Sequence, residues 1–165
     1  MTGPDSAHTR RRQKFLVVVD DTPEAQVALR YASRRARNVH CGVVMLRVVE
    51  PVDFNQWAGV AELMRQEAHE AAEKLLLELA EQVNRECGVM PEVCIREGNA
   101  TDELLRLIAE DMDIRMLVLA AAPSGAGAGP GPLVSKLAGQ MAGDLSFPIT
   151  VIPGNLTIAQ IERIT

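Results

Sequence analysis

Four glycines and three prolines crowd the stretch Pro123-Ser-Gly-Ala-Gly-Ala-Gly-Pro-Gly-Pro132, between an apolar run and a short amphipathic segment. Glycine permits backbone conformations and close approaches that a Cβ blocks, so Gly125, Gly127 and Gly129 would let this loop aim several N–H groups at one anion. Ser124 before them and Ser135 and Lys136 after them supply hydroxyls and a cation. The helix expected next, apolar at Leu133, Val134, Leu137, Met141 and Leu145, would add its positive N-terminal end. This is phosphate-binding chemistry. A flexible surface loop without a ligand would have the same composition, and the residues alone leave both readings open.

Other chemistry is less well placed. His8, His40 and His69 fall in an N-terminal polar stretch, a helix–strand turn and a polar helix face, and none stands with a Ser or Cys nucleophile. No catalytic residue is assigned. Asp20-Asp21 could hold Mg²⁺ beside a phosphate, but the other oxygens of a hard-cation site are not identified, so no metal site is assigned either. Cys41, Cys87 and Cys94 form no C-x-x-C pair and read as small buried hydrophobes.

The elements that would position the loop alternate regularly. Phe15 to Val19 is a β-branched strand stopped by Asp20-Asp21, and Thr22-Pro23 opens a helix with Ala25, Ala28, Leu29, Ala32 and Ala36 on one face. Val43 to Val49 is a second strand, Pro51 to Ala58 a loop, and about Val60 to Arg85 a long amphipathic helix closed by Gly88. A short strand over Glu92 to Glu97 leads through Gly98-Asn99 to a helix from about Thr101 to Asp111. The apolar run Met116 to Ala120 reads as a strand buried on both faces, and Ile149 to Ile152 as the last strand.

The alternation of strand and helix argues for an open parallel sheet with helices on both faces, whose ligands bind at the point where strand order reverses. If the first and fourth strands are neighbours, Asp20 faces the Gly-rich loop across that crevice. Residues 1–13 are expected to be a disordered tail, 14–153 one domain, and 154–165 an extension in which Thr157 caps a short helix.

Composition sets the outer limits. A chain of 165 residues suits one domain. A formal charge of −5 and 3% aromatic residues argue against a nucleic-acid partner, while one small anion is still accommodated by backbone donors. No apolar run reaches the ~20 residues of a membrane span and the N-terminus lacks the apolar core of a signal peptide, so a cytoplasmic protein is expected.

The Gly-rich loop is neither a Walker A motif nor G-x-G-x-x-G. The ordered set of features resembles the universal stress protein family, the UspA-like fold of the adenine-nucleotide α-hydrolase type, from Lys14 to Pro153. The set is Val19-Asp20 with Thr22, Leu46-Arg47-Val48-Val49, Glu97-Gly98, the Gly loop after the fourth strand, and Phe147-Pro148-Ile-Thr-Val-Ile-Pro153. The resemblance implies a five-stranded parallel sheet in the order 3-2-1-4-5.

It also implies a loop of the form Gly-x-x-Gly, nine residues, Gly-Ser/Thr. Here Ala122-Pro-Ser-Gly125, nine residues and Ser135-Lys136 occupy that pattern, with Ala at the first glycine and the final hydroxyl lost. A rival register uses Gly129 and Gly139-Gln140, with Ala126 at the first glycine, and leaves the last helix about a turn short before Pro148. Carried over from the family, Asp20 and Val48 would line the adenine pocket, Ala121 and Ala122 the ribose, and Gly125, Ser135 and Lys136 the phosphates. Thr22, Ser124, Gly127 and Gly129 complete the binding set.

The resemblance therefore implies a non-catalytic regulatory module in stress response that binds ATP or AMP, with Mg²⁺ only as the nucleotide's companion. It implies a homodimer through the last strand. The alternative is a nucleotide-free dimeric interaction module that uses its loop on another protein; slow ATP hydrolysis ranks last, because no general base is evident.

Overall fold

The computed structural model describes residues 12–51, 58–125, 127 and 129–165. The expected tail lies outside the described residues except for Arg12 and Gln13, as do six residues of the Pro51–Ala58 loop and Ala126 of the rival loop register.

Five strands form one all-parallel sheet in the order β3-β2-β1-β4-β5, as the resemblance implies. They are β1 Lys14–Val18, β2 Gly42–Val49, β3 Glu92–Glu97, β4 Ile114–Ala121 and β5 Ile149–Pro153. The central strand β1 pairs with both β2 and β4, with Val17 in register with Met45 on one side and Val118 on the other. Alternation along β1 sends Phe15 and Val17 into one apolar core and Leu16 into another, one on each face of the sheet.

Helices α1 (Pro23–Asn38) and α2 (Ala58–Cys87) cover the first face. Ala28, Ala32 and Ala36 of α1 are fully buried, and the missing bulk brings that helix close to the sheet. Gly88 ends α2 with a left-handed φ of 68°, which its lack of a Cβ makes cheap. Helix α3 (Ala100–Glu110) covers the second face, and the Asn99 side chain caps it by accepting from the N–H groups of Thr101 and Asp102.

The fourth crossover departs from expectation. In place of one helix running to Leu145, a single α-helical turn, α4 (Pro132–Val134), passes into a π-helical segment, Ser135–Gln140, and stops. The Met141 N–H reaches the Lys136 carbonyl at 2.9 Å, the wide i+5 closure. Gly139 and Gly143 are poor helix formers, and they lie where a continued α-helix would have to run.

After β5 the chain turns at Gly154 and forms α5 (Ile158–Ile164), whose start is a reciprocal capping box between Thr157 and Gln160. Of the three isoleucines at three-residue spacing only Ile161 is buried; Ile158 and Ile164 are exposed. Contacts to α1 hold the segment. Asn38 donates to the Thr165 carbonyl at 2.7 Å, and Arg34 donates to the Thr165 hydroxyl at 3.3 Å and pairs with Glu162 at 3.7 Å.

At the opposite end of the sheet, Lys14 bridges Glu92 at 2.9 Å and Asp111 at 3.0 Å. The Glu92 bond, with Asp111 behind it, holds the ammonium above its ordinary range despite partial burial.

Candidate functional site

Where β1 and β4 lie side by side, the connections leave the sheet in opposite directions and a crevice opens over the carboxyl ends of β1, β2 and β4. It has two lobes that share Val18, Asp20, Thr22, Pro132 and Leu133. The smaller, about 150 Å³, lies between Glu24 and Ala25 of α1, Leu119 and Ala120 of β4, and the loop residues Pro130 to Val134. The larger, about 590 Å³, runs over the end of β2 to Ala68, Ala71 and Ala72 of α2 and to Ala100 of α3.

Asp20 is placed by the end of β1 and held by its neighbour. Its Oδ1 accepts the Thr22 N–H at 2.9 Å and the Thr22 hydroxyl. Thr22 occupies the N-cap position of α1 but makes no side-chain cap, because its hydroxyl is turned to Asp20. The Asp20-Asp21-Thr22 turn thus fixes one carboxylate at the point where both lobes meet.

On β2, alternation puts Val48 on the α3 side of the sheet and Arg47 on the α2 side. Arg47 Nη2 donates to Asp21 at 2.6 Å, while its buried Nε has no hydrogen-bond partner among the described residues. The alanines of α2 leave the space that this side of the larger lobe occupies.

The structure brings together Asp20, Thr22 and Val48 from the sequence-based set. Ala121, Ala122, Ser124, Gly125, Gly127, Gly129, Ser135 and Lys136 line neither lobe. Ala121 gives its carbonyl to the Gly154 N–H at 2.9 Å, and Ala122 gives its N–H to the Pro130 carbonyl at 3.1 Å, so the foot of the loop is closed on itself. Gly125, Gly127, Gly129 and Gly131 all have positive φ, a backbone that glycine adopts without strain. Ser135 and Lys136 are exposed on the short helical segment.

The loop meets the cleft through the far half, Pro130 to Val134, which the sequence reading did not place there. Glu24, Arg47 and the alanines of α2 were missed as well. Arg47 carries one signal that could have found it, a lone charge at the end of an otherwise apolar strand.

The family model described as the Universal stress protein family matches residues 11–152. No curated protein sequence matches the chain. Among solved structures, the universal stress protein UspA from Lactobacillus plantarum has a TM-score of 0.72 at 18% identity, covering 86% of this chain and 98% of that one. A universal stress protein in complex with cAMP has a TM-score of 0.59 at 16% identity, over 85% of this chain and 96% of that one. A universal stress protein family protein from Arabidopsis thaliana with AMP bound has a TM-score of 0.54 at 18% identity, over 86% and 91%. With a matched family model spanning most of its length and the 3-2-1-4-5 sheet of those neighbours, the chain belongs to the universal stress protein family.

Proposed function

We propose that the protein is a non-catalytic binding module of the stress response, cytoplasmic, that holds an adenine nucleotide, AMP or ATP, in the cleft between β1, β2 and the Pro130–Val134 loop. One observation carries this reading: the crevice at the strand-order reversal, with Asp20 and Val48 on one wall and Pro132 and Leu133 on the other. The two structural neighbours described with cAMP and with AMP bound support it by analogy of fold. The larger lobe would take the purine against Val18 and Val48, and Asp20 would accept hydrogen bonds from the ligand's donor groups.

A binding role suits the lining better than a catalytic one. Among the described lining residues there is no histidine, cysteine or lysine, and the best-placed carboxylate, Asp20, is already engaged by Thr22. Mg²⁺ enters this reading only with a nucleotide's phosphates. We place a second copy of the chain on β5, an edge strand paired in the sheet with β4 alone.

Calorimetric titration with AMP and ATP, each with and without Mg²⁺, tests the nucleotide reading. Saturable binding at one ligand per chain is expected. Protein shown free of co-purified nucleotide that gives no heat with either would refute it.

A further inference from the structure

We propose that the segment 154–165 is a regulatory strap: it docks along α1, and its docking and the filling of the cleft stabilise each other. The mechanical half of this inference needs no ligand; the half that concerns affinity rests on the adenine reading above. The strap lies outside residues 11–152, which the family model matches, so it is an addition to the shared domain.

Its first end sits behind the wall of the cleft. Gly154 follows β5 directly and gives its N–H to the Ala121 carbonyl at 2.9 Å. Glu24 Cβ and that carbonyl oxygen stand so close to Gly154 that a Cβ there would meet both. Glu24 lines the smaller lobe, and Ala121 is followed by Ala122, whose N–H on the Pro130 carbonyl closes the foot of the loop. One glycine therefore backs the α1 side of the cleft and the loop side together.

The other end is fastened at the last turn of α1. Asn38 donates to the Thr165 carbonyl at 2.7 Å, and Arg34 donates to the Thr165 hydroxyl at 3.3 Å and pairs with Glu162 at 3.7 Å. Between the two ends Leu156 packs on the core of the first face and Ile161 is buried. The strap thus spans α1, one continuous helix of 16 residues, from Glu24 to Asn38.

Its hold is marginal, as a switch requires. An isolated helix shorter than about 12 residues is not stable in water, so the seven residues of α5 are helical only while docked. Ile161 is the one isoleucine of α5 that is buried, with Ile158 and Ile164 exposed on either side of it. The Arg34–Glu162 pair is exposed enough to contribute little. Docked and released are the two states. On release, Gly154 is free to leave Ala121 and Glu24, and the first turn of α1 and the foot of the loop lose their common support. A ligand that needs both walls in place favours the docked state, and by linkage docking raises its affinity by the same factor.

The test is amide hydrogen exchange on the full chain, comparing the unaltered protein with Ile161→Ala and with Asn38→Ala, two residues that line neither lobe. Both variants are expected to exchange several-fold faster in α5 and, with it, at Val27 and Ala28, whose N–H groups close the first turn of α1, and at Ala122 and Gly154, with β3 unchanged. Faster exchange confined to α5, or an α5 that neither variant loosens, would overturn the strap. If Ile161→Ala speeds exchange in β3 as well, it has loosened the whole domain, and Asn38→Ala decides.

Saturating AMP is expected to slow exchange in α5 of the unaltered protein. Ile161→Ala should weaken AMP binding several-fold, by the factor that AMP imposes on release. Unchanged AMP affinity in a variant whose α5 is loosened would overturn the coupling. If AMP does not bind at all, the adenine reading fails, and the ligand-free comparison still decides for or against the strap.

Discussion

Among the described glycines, Gly154 has the most tightly crowded surroundings. A Cβ built on it would stand 2.4 Å from Glu24 Cβ and 2.7 Å from the Ala121 carbonyl oxygen, one on α1 and the other at the end of β4. Neither neighbour is the flexible end of a side chain, so Gly154→Ala must move backbone. It is expected to cost about 2 kcal/mol in urea unfolding, and a loss under about 0.5 kcal/mol would show that the turn is looser than described.

Gly125 is the contrast. It faces open space and its demand is a φ of 93°. The residues that make the cleft divide the same way between legible and hidden. Asp20 could be read because a strand's end is written locally, whereas Val48 came only through the family resemblance. Thr22 carried a helix-cap signal, and the signal was overridden by a carboxylate two residues away. Glu24, Arg47 and Ala71 acquire their meaning from which strands and helices become neighbours, and no local pattern encodes that.

At the level of elements, the strands and the first three helices follow from periodicity, caps and glycine stops, and they agree with the sequence to within a few residues at each end. The fourth crossover does not. Its apolar positions Leu133, Val134 and Leu137 predict a helix correctly, but two glycines cut it short and widen its last turns. Ser135 and Lys136, at the start of that segment, are exposed and line neither lobe.

The seam between α1 and α2 offers a test of element packing that does not involve a ligand. Glu86 on α2 accepts from Arg30 on α1 at 2.8 and 3.0 Å and from Gln82 at 2.9 Å. The Gln82 bond, with Arg30 adding to it against partial burial, holds the Glu86 carboxyl below its ordinary value of 4.5. A lowered carboxyl stabilises the fold above its ordinary value, and that contribution is lost as pH falls through the lowered one. Glu86→Gln should therefore cost about 0.5 kcal/mol near neutrality, discounted because the pair is partly exposed. Equilibrium unfolding at a series of pH values should show the difference closing below 4.5. A difference that persists unchanged into acid would show that the loss comes from packing, not from charge.

For the molecule as a whole, the sheet has two edges, and β5 is the one followed by a segment that folds back onto α1. Val151 on that strand is more than a third exposed, and the proposed pairing with a second copy would cover it. Light scattering at micromolar concentration should give about twice the 17.9 kDa chain mass; a monomer mass would contradict the β5 interface. The sheet order was accessible from the sequence through the whole ordered set of motifs and through no single one of them. Strand order is a property of neighbours, and periodicity is silent about neighbours.

The proposed ligand position is over the ends of β1 and β2, facing Pro130–Val134. Amide hydrogen exchange with and without saturating AMP, read peptide by peptide, addresses it most directly. Added protection is expected in the Val18–Glu24 turn, at Arg47 to Glu50 and across the Gly131–Val134 end of the loop, with none around Lys14 and Asp111 at the far end of the sheet. Protection confined to other segments, or none at a concentration that saturates binding, would contradict it.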